Sequence, residues 1–182
     1  MFLDPVTTLR RLGYRDDAKL LIIHGDDAGM CYSANIATAE ALKKGIVTST
    51  SVLVPCPWFL HFAEWAKGNP EADVGIHLTV TSEWDHYRWR PLSPADRVPS
   101  LVDKDGFFWR TTKELFEHAV LDEIDIEARA QIEMALRWGL NLLHIRRGQK
   151  DPRRGRCDAG ELPDARRAVA KNCGVGATAA LV

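Results

Sequence analysis

The chain has 182 residues, 46% hydrophobic and 27% charged, with a formal net charge of -1. This composition is typical of one ordinary folded domain, and the near-zero charge argues against a general nucleic-acid or membrane partner. No apolar run has the length of a signal peptide or a transmembrane helix. The four cysteines lack C-x-x-C spacing, so we expect a reducing, cytoplasmic location.

Strands and helices are predicted to alternate along the chain. The aliphatic run at residues 19–23 is typical of a buried strand, and it leads into the loop HGDDAGM at residues 24–30. Ser33 is the predicted cap of a helix over residues 34–44, and β-branched residues predict a second strand over 46–54. The later predicted elements are a helix over 58–67, a strand over 73–79, a helix from Thr111 or Thr112 to 118, a helix after Asp125 and a strand over 141–145.

This alternation predicts an α/β fold with a parallel sheet or barrel. The segment from residue 80 to residue 110 is longer than an ordinary connection and rich in proline and aromatic residues. Segments of this kind are usually functional or mobile.

Carboxylates and histidines follow several of the predicted strands. Asp26 and Asp27 follow the first strand, His77 lies near the end of the third, and His144 lies in the fourth. The carboxyl ends of parallel strands meet at one edge, where oxygen and imidazole ligands suit a divalent ion that activates water. The alternatives are an ordinary turn or helix cap for the aspartates and a hydrogen-bonded core residue for each histidine.

Three stretches, LLIIHGDDAGM, KGIVTSTSVLVPCPW and VGIHLTVTSEW, resemble the opening of the YdjC-like (ChbG/HpnK) family of carbohydrate deacetylases. The resemblance runs from about residue 19 to 144. It implies a distorted (β/α) barrel of the TIM type and a divalent metal ion, Mg with Zn or Mn as alternatives. It also implies that acetyl groups are removed from N-acetylated sugars such as chitooligosaccharides. By this resemblance Asp26 is the general base, and Asp27 and His77 are metal ligands.

The chain departs from the family pattern after the predicted fourth strand. The family continues into a D-S-H motif whose histidine is the third metal ligand, whereas this chain has Arg146 and Gly148 at the first and last of these positions. His144 is the candidate substitute, although a supporting role suits it better. Residues 146–182 also hold nine Lys or Arg against four Asp or Glu. We hypothesise a frameshifted or truncated member: residues 1–145 form the first part of a barrel, its second half is incomplete, and 146–182 form an aberrant basic tail.

Aromatic residues in the long segment are candidates for sugar binding. Trp84 and Trp89 follow the His77 strand, and their rings could stack on pyranose faces. The alternative is that they pack the segment onto the fold.

The expected function is a metal-dependent carbohydrate N-deacetylase that is impaired by loss of its third ligand. Its partner is an acetylated sugar or oligosaccharide, with a homodimer left open. The alternative is a non-catalytic sugar-binding or regulatory protein on the same scaffold. A metal phosphoesterase would need more ligands and cationic groups, and a nucleic-acid role would depend on the basic tail alone.

Overall fold

The structure is a computed structural model that describes residues 4–147. Its centre is a sheet of four strands, in the order β1-β2-β3-β4, in which every neighbouring pair is parallel. The strands are β1 (His24–Ala28), β2 (Ser49–Val52), β3 (Val74–Leu78) and β4 (Ile145–Arg147). The predicted α/β class with a parallel sheet is therefore confirmed.

Within residues 4–147, five helices and one short 3-10 turn connect or precede the strands. They are α1 (Pro5–Arg11), α2 (Tyr32–Lys44), α3 (Phe59–Lys67), the turn Pro99–Leu101, α4 (Thr112–His118) and α5 (Leu121–Arg137). The predicted Thr111 cap is present, because its hydroxyl accepts from the Glu114 N–H while the Glu114 carboxylate accepts from the Thr111 N–H. The predicted Ser33 cap is not present, since α2 begins at Tyr32 and the N-cap residue Cys31 makes no side-chain capping hydrogen bond.

A closed barrel is not present in residues 4–147. The sheet is open there, with β1 and β4 at its two edges. A closed barrel requires each edge strand to find a neighbour, and the sheet within this range shows only the ladders between consecutive strands. The barrel prediction is thus replaced, for this range, by an open parallel sheet.

The first predicted strand was placed too early in the chain. Residues 19–23 have no regular structure, and Leu20, Leu21 and Ile22 are exposed. The strand instead begins at His24, opposite Ser49 of β2. The Thr48 N–H and hydroxyl both donate to the Ile23 carbonyl, but the ladder with β2 begins only at His24, so the apolar run lies outside it.

The fourth strand is displaced in the opposite direction. Its regular ladder begins at Ile145, opposite Ile76, rather than at residue 141. Hydrogen bonds to β3 already start two residues earlier, where the Leu143 N–H donates to the Val74 carbonyl. The predicted and observed fourth strands therefore differ in the residue at which the regular ladder begins.

The sheet has one apolar face and one polar face. Val52, Val74 and Ile76 point to the apolar face, where they pack with residues of α3 and α5 in the main core. Other positions, such as His24 on β1 and Ser51 on β2, direct hydrogen-bonding side chains to the opposite face. This division puts the polar side chains of several strands on one surface.

The long segment after β3 has its own apolar cluster and a polar anchor. The cluster contains Leu53, Cys56, Trp89, Val98, Leu101, Phe108 and Leu115. The fully buried Glu127 of α5 accepts hydrogen bonds from the backbone N–H groups of Leu92 and Ser93. Gln131, one turn later, bonds to both the N–H and the carbonyl of Thr79. These contacts fix the segment to α5, so most of it is ordered structure rather than a free loop.

Within residues 4–147, none of the helices combines the length and apolar character that a membrane crossing needs. The predicted basic tail lies outside the described residues, apart from the backbone of Arg146 and Arg147 in β4.

Candidate active site

A β-bulge in β1 presents the two aspartates. The β1–β2 register shifts between Gly25 and Ala28, and Asp27 has a φ of 63°, in the left-handed region. A bulge places an extra residue in one strand and turns side chains away from their regular directions. Non-glycine residues in the left-handed region are strained, although Asp tolerates it better than most, and such positions concentrate at functional sites. A regular strand would direct Asp26 and Asp27 to opposite faces, so the bulge lets the Asp27 side chain turn toward the polar face that also holds Asp26.

Asp26 contacts side chains of β1 and β2. The Ser51 hydroxyl lies 3.4 Å from Oδ1 of Asp26, and Nε2 of His24 lies 3.4 Å from the same oxygen. His24 is itself held by Ser49, 2.7 Å from Nδ1, and by Ser51, 3.1 Å from Nε2. The Asp26 side chain remains 38% exposed. It is thus oriented by its neighbours and still open to water, as a general base must be.

Asp27 faces a different strand. Its Oδ1 atom lies 3.2 Å from Nδ1 of His77 on β3. The Nδ1 atom is buried, and no described residue forms a hydrogen bond of acceptable geometry with it. Nδ1 is therefore close to the Asp27 carboxylate without being aligned for a hydrogen bond to it. An imidazole nitrogen and a carboxylate oxygen that approach without bonding to each other suit a shared cation. The predicted ligands Asp27 and His77 are therefore brought together.

His144 points to other partners. Its Nδ1 lies 3.1 Å from Oδ1 of Asp73, and its ring lies edge-to-face with His24 at 5.2 Å. The ring occupies the space above Gly75, where an added Cβ would come within 2.3 Å of it. The contact of Nδ1 with Asp73 fits the supporting role, while the buried Nε2 atom has no hydrogen-bond partner among the described residues. Gly148, the position of the expected third ligand, lies outside the described residues.

Cys56 does not add a nucleophile to the site. Burial, and secondarily the negative charge of Asp27, raises the pKa of its thiol far above the ordinary value. A thiol with a raised pKa stays protonated at neutral pH, so Cys56 acts as a buried apolar side chain.

The two predicted sugar-binding tryptophans occupy different environments. Trp84 is 55% exposed, so its ring is accessible. Trp89 is only 4% exposed, its indole N–H donates to the Thr81 carbonyl, and it belongs to the apolar cluster of the long segment. Trp89 therefore has no accessible ring face for a sugar in this structure.

The sequence-based prediction missed the residues that orient Asp26. His24 and Asp26 are two residues apart, as are Ser49 and Ser51. That period of two, at the start of two adjacent strands, was a usable signal for a shared polar face. It was hidden because His24 was assigned to a loop. Across residues 4–147, no three His, Cys, Asp or Glu side chains group closely enough to hold a metal ion by themselves.

The fold and this site define an α/β protein with a parallel sheet and a carboxylate–imidazole centre at the carboxyl ends of its strands. Comparison with known proteins then gives its family. The model of the YdjC-like protein family matches residues 20–146, and the chain belongs to that family. The resemblance found in the sequence is thereby confirmed.

The similar proteins include several deacetylases. A carbohydrate deacetylase of Enterococcus faecalis (strain ATCC 700802 / V583) is 39% identical over 129 residues, which are 70% of this chain and 47% of the relative. A chitooligosaccharide deacetylase of Yersinia enterocolitica is 37% identical over 115 residues, 62% of this chain and 42% of the relative. The chain thus spans about half the length of the curated relatives it matches.

A solved structure agrees with the fold. A crystal structure from Enterococcus faecalis V583, of a protein provisionally named for cellobiose-phosphate cleavage, superposes with a TM-score of 0.68 at 32% identity. The superposition covers 84% of this chain and 55% of the other.

Proposed function

We propose that this chain has the scaffold of a metal-dependent carbohydrate deacetylase, an enzyme that removes acetyl groups from N-acetylated sugars. The observation that carries the proposal is the separation of roles at the β1 bulge, where Asp26 is open to water and Asp27 meets His77 at 3.2 Å. The names of the deacetylase relatives supply the substrate class.

In the proposed reaction Asp26 removes a proton from a water molecule. The water oxygen bonds to the carbonyl carbon of the acetamide, and the carbon–nitrogen bond then breaks to release acetate. The amine nitrogen must gain a proton as it leaves, and no described side chain is assigned to that step. Ser51 and His24 hold the Asp26 carboxylate in place while leaving it accessible.

Asp27 and His77 are the proposed ligands of a divalent ion, Mg or alternatively Zn or Mn. The buried Nδ1 atom of His77, close to the carboxylate but not hydrogen-bonded to it, supports this assignment. When bound, such an ion supplies Lewis-acid polarisation of the acetyl carbonyl and lowers the pKa of water.

We further propose that this chain is impaired in turnover. Two protein ligands hold a divalent ion more weakly than the three usual in catalytic sites, and the resemblance places Gly148 where the third would stand.

A chimaera tests both parts of the proposal. One sample is the chain itself, and the other joins residues 1–145 to the second half of the Enterococcus faecalis deacetylase. Acetate released from N,N′-diacetylchitobiose is measured with Mg, Mn or Zn and after chelation. We expect metal-dependent release by the chimaera and little by the chain alone.

The matched variants in the chimaera are Asp26→Asn and Asp122→Asn, the latter at an exposed carboxylate of α5. Loss of the base should lower kcat about 10²- to 10⁴-fold, and Asp122→Asn should have no effect. A folded chimaera without acetate release would contradict the deacetylase proposal, and full turnover by the chain alone would contradict the impairment.

A further inference from the structure

Three exposed aromatic rings form a cluster beside the candidate active site. Tyr32 is 52% exposed, Trp58 is 39% exposed, and His61 is also exposed. Their ring centroids are 5.2 Å apart for Tyr32–Trp58, 5.2 Å for Tyr32–His61 and 5.6 Å for Trp58–His61. We call these three residues the aromatic platform.

The chain places the aromatic platform at the same end of the sheet as the catalytic groups. Tyr32 begins α2 directly after the loop that follows β1, and Trp58 precedes α3 in the connection that follows β2. Loops at the carboxyl ends of parallel strands converge over one edge of the sheet. The platform therefore lies on the loop side from which a substrate would approach Asp26 and Asp27.

A hydrogen-bond network joins the platform to the aspartate loop. The backbone N–H of Trp58 donates to the Gly29 carbonyl, and the Gly29 N–H donates to the side-chain oxygen of Asn35 at 2.6 Å. The Asn35 amide donates to the Trp58 carbonyl at 2.9 Å and lies 3.1 Å from Nδ1 of His61. Asn35 is only 1% exposed. The loop and the platform are thus held together through one buried side chain.

The geometry of the rings favours a sugar over an apolar partner. Their planes meet at 56°, 62° and 78°, so none lies flat on another and ring faces are left uncovered within the cluster. Tyr and His also offer polar atoms beside these faces, which suits a ligand that combines apolar C–H faces with hydroxyl groups.

We propose that the aromatic platform is a binding subsite for a pyranose unit of the oligosaccharide, next to the unit that carries the reacting acetamide. The choice of a sugar as occupant rests on the proposed function, and the platform continues the candidate active site through Gly29 and Asn35. The platform requires neither the metal ion nor Asp26, because ring stacking involves no ionised group.

The test uses the purified chain in a chelating buffer, with tetra-N-acetylchitotetraose as the probe. The indole N–H resonance of Trp58, assigned by its loss in Trp58→Phe, is followed by NMR during the titration. Calorimetry gives the dissociation constant for wild type, Trp58→Ala, Trp58→Phe and Phe116→Ala. Phe116 is the matched control, an aromatic residue on α4 that is 69% exposed.

We expect a saturable shift of the Trp58 resonance and about tenfold weaker binding in Trp58→Ala, the loss typical of an anchoring aromatic side chain. Trp58→Phe should retain most of the affinity, and Phe116→Ala should retain all of it. If Trp58→Ala does not fold, the wild-type resonance and Tyr32→Ala provide the result. Binding that leaves the Trp58 resonance unmoved, or no binding at all, would overturn the subsite.

Failure of the subsite and failure of the proposed function give different results. Binding that depends on Trp58, together with a folded chimaera that releases no acetate, would retain the subsite and reject the deacetylase proposal. Acetate release with affinity that is unchanged in Trp58→Ala would do the reverse.

Discussion

Nδ1 of His77 lies 3.2 Å from Oδ1 of Asp27, although these residues belong to strands that are separated by β2. The β1 bulge and the left-handed conformation of Asp27 turn its side chain toward His77. The same bulge leaves Asp26 with Ser51 and His24. Two neighbouring carboxylates thereby acquire separate environments.

The first prediction concerns metal binding at this pair. His77→Ala and Asp27→Asn should each weaken binding of Zn²⁺ or Mn²⁺ at least tenfold, because each removes one of two proposed ligands. His118→Ala, at an exposed histidine of α4, is the matched control. Calorimetric titration of the metal-stripped protein measures the effect. Equal affinity in wild type and His77→Ala would contradict the assignment.

The second prediction concerns Gly29 in the aspartate loop. Gly29 has a φ of 87°, and an added Cβ would lie 2.9 Å from the Leu53 carbonyl oxygen. Gly13 also has a positive φ, of 80°, but an added Cβ there would meet nothing within 4 Å. We expect Gly13→Ala to cost about 1 kcal/mol of unfolding free energy and Gly29→Ala about 3 kcal/mol, since only the latter adds a backbone clash.

Urea unfolding of the two glycine variants measures this difference. Equal destabilisation would show that the loop relaxes around the added methyl group. It would also show that the close approach of Gly29 to β2 is not required for the fold.

The third prediction concerns the anchor of the long segment. Glu127→Gln replaces a carboxylate oxygen that accepts from the Leu92 or Ser93 N–H by an amide donor, which leaves buried groups unsatisfied. The free energy of unfolding should fall by about 2–4 kcal/mol. Glu133→Gln, at an exposed position of the same helix, should change it by less than about 0.5 kcal/mol. Thermal unfolding with matched controls measures both, and similar values would contradict the anchoring role.

The fourth prediction is a pH dependence of stability. Burial alone would raise the pKa of Asp103, but hydrogen bonds from Arg88 and from the N–H groups of Phe107 and Asp105 outweigh it and lower the pKa. A carboxyl whose pKa is lower in the folded state stabilises the protein above its unfolded pKa, and this contribution is lost as the pH falls through the folded pKa.

Wild-type stability should therefore decline below the ordinary Asp pKa of about 3.9, and Asp103→Asn should make that decline shallower. Asp105→Asn, at a more exposed carboxylate, is the control. Denaturant midpoints measured between neutral and acidic pH provide the comparison. An unchanged acid slope in Asp103→Asn would contradict the role of the pair with Arg88.

Local sequence signals predicted most elements because they depend on neighbouring residues. Thr111 and Glu114 form their capping box within one turn, and the helix over 34–44 differs from α2 only at its start. The run at residues 19–23 misled for the opposite reason. Apolar character alone does not make a strand, which requires a neighbour, and the partner of β1 begins at Ser49.

The sequence by itself determined the α/β class, the family and the candidates Asp26, Asp27 and His77, because residue types and their order carry that information. Only the tertiary structure decided how these side chains are arranged. The bulge lets both carboxylates reach the polar face of the sheet, and the ladder order brings His77 to Asp27 and turns His144 toward Asp73. It also buries Trp89 and exposes Trp58. These outcomes depend on contacts between residues far apart in the chain, which no local pattern encodes.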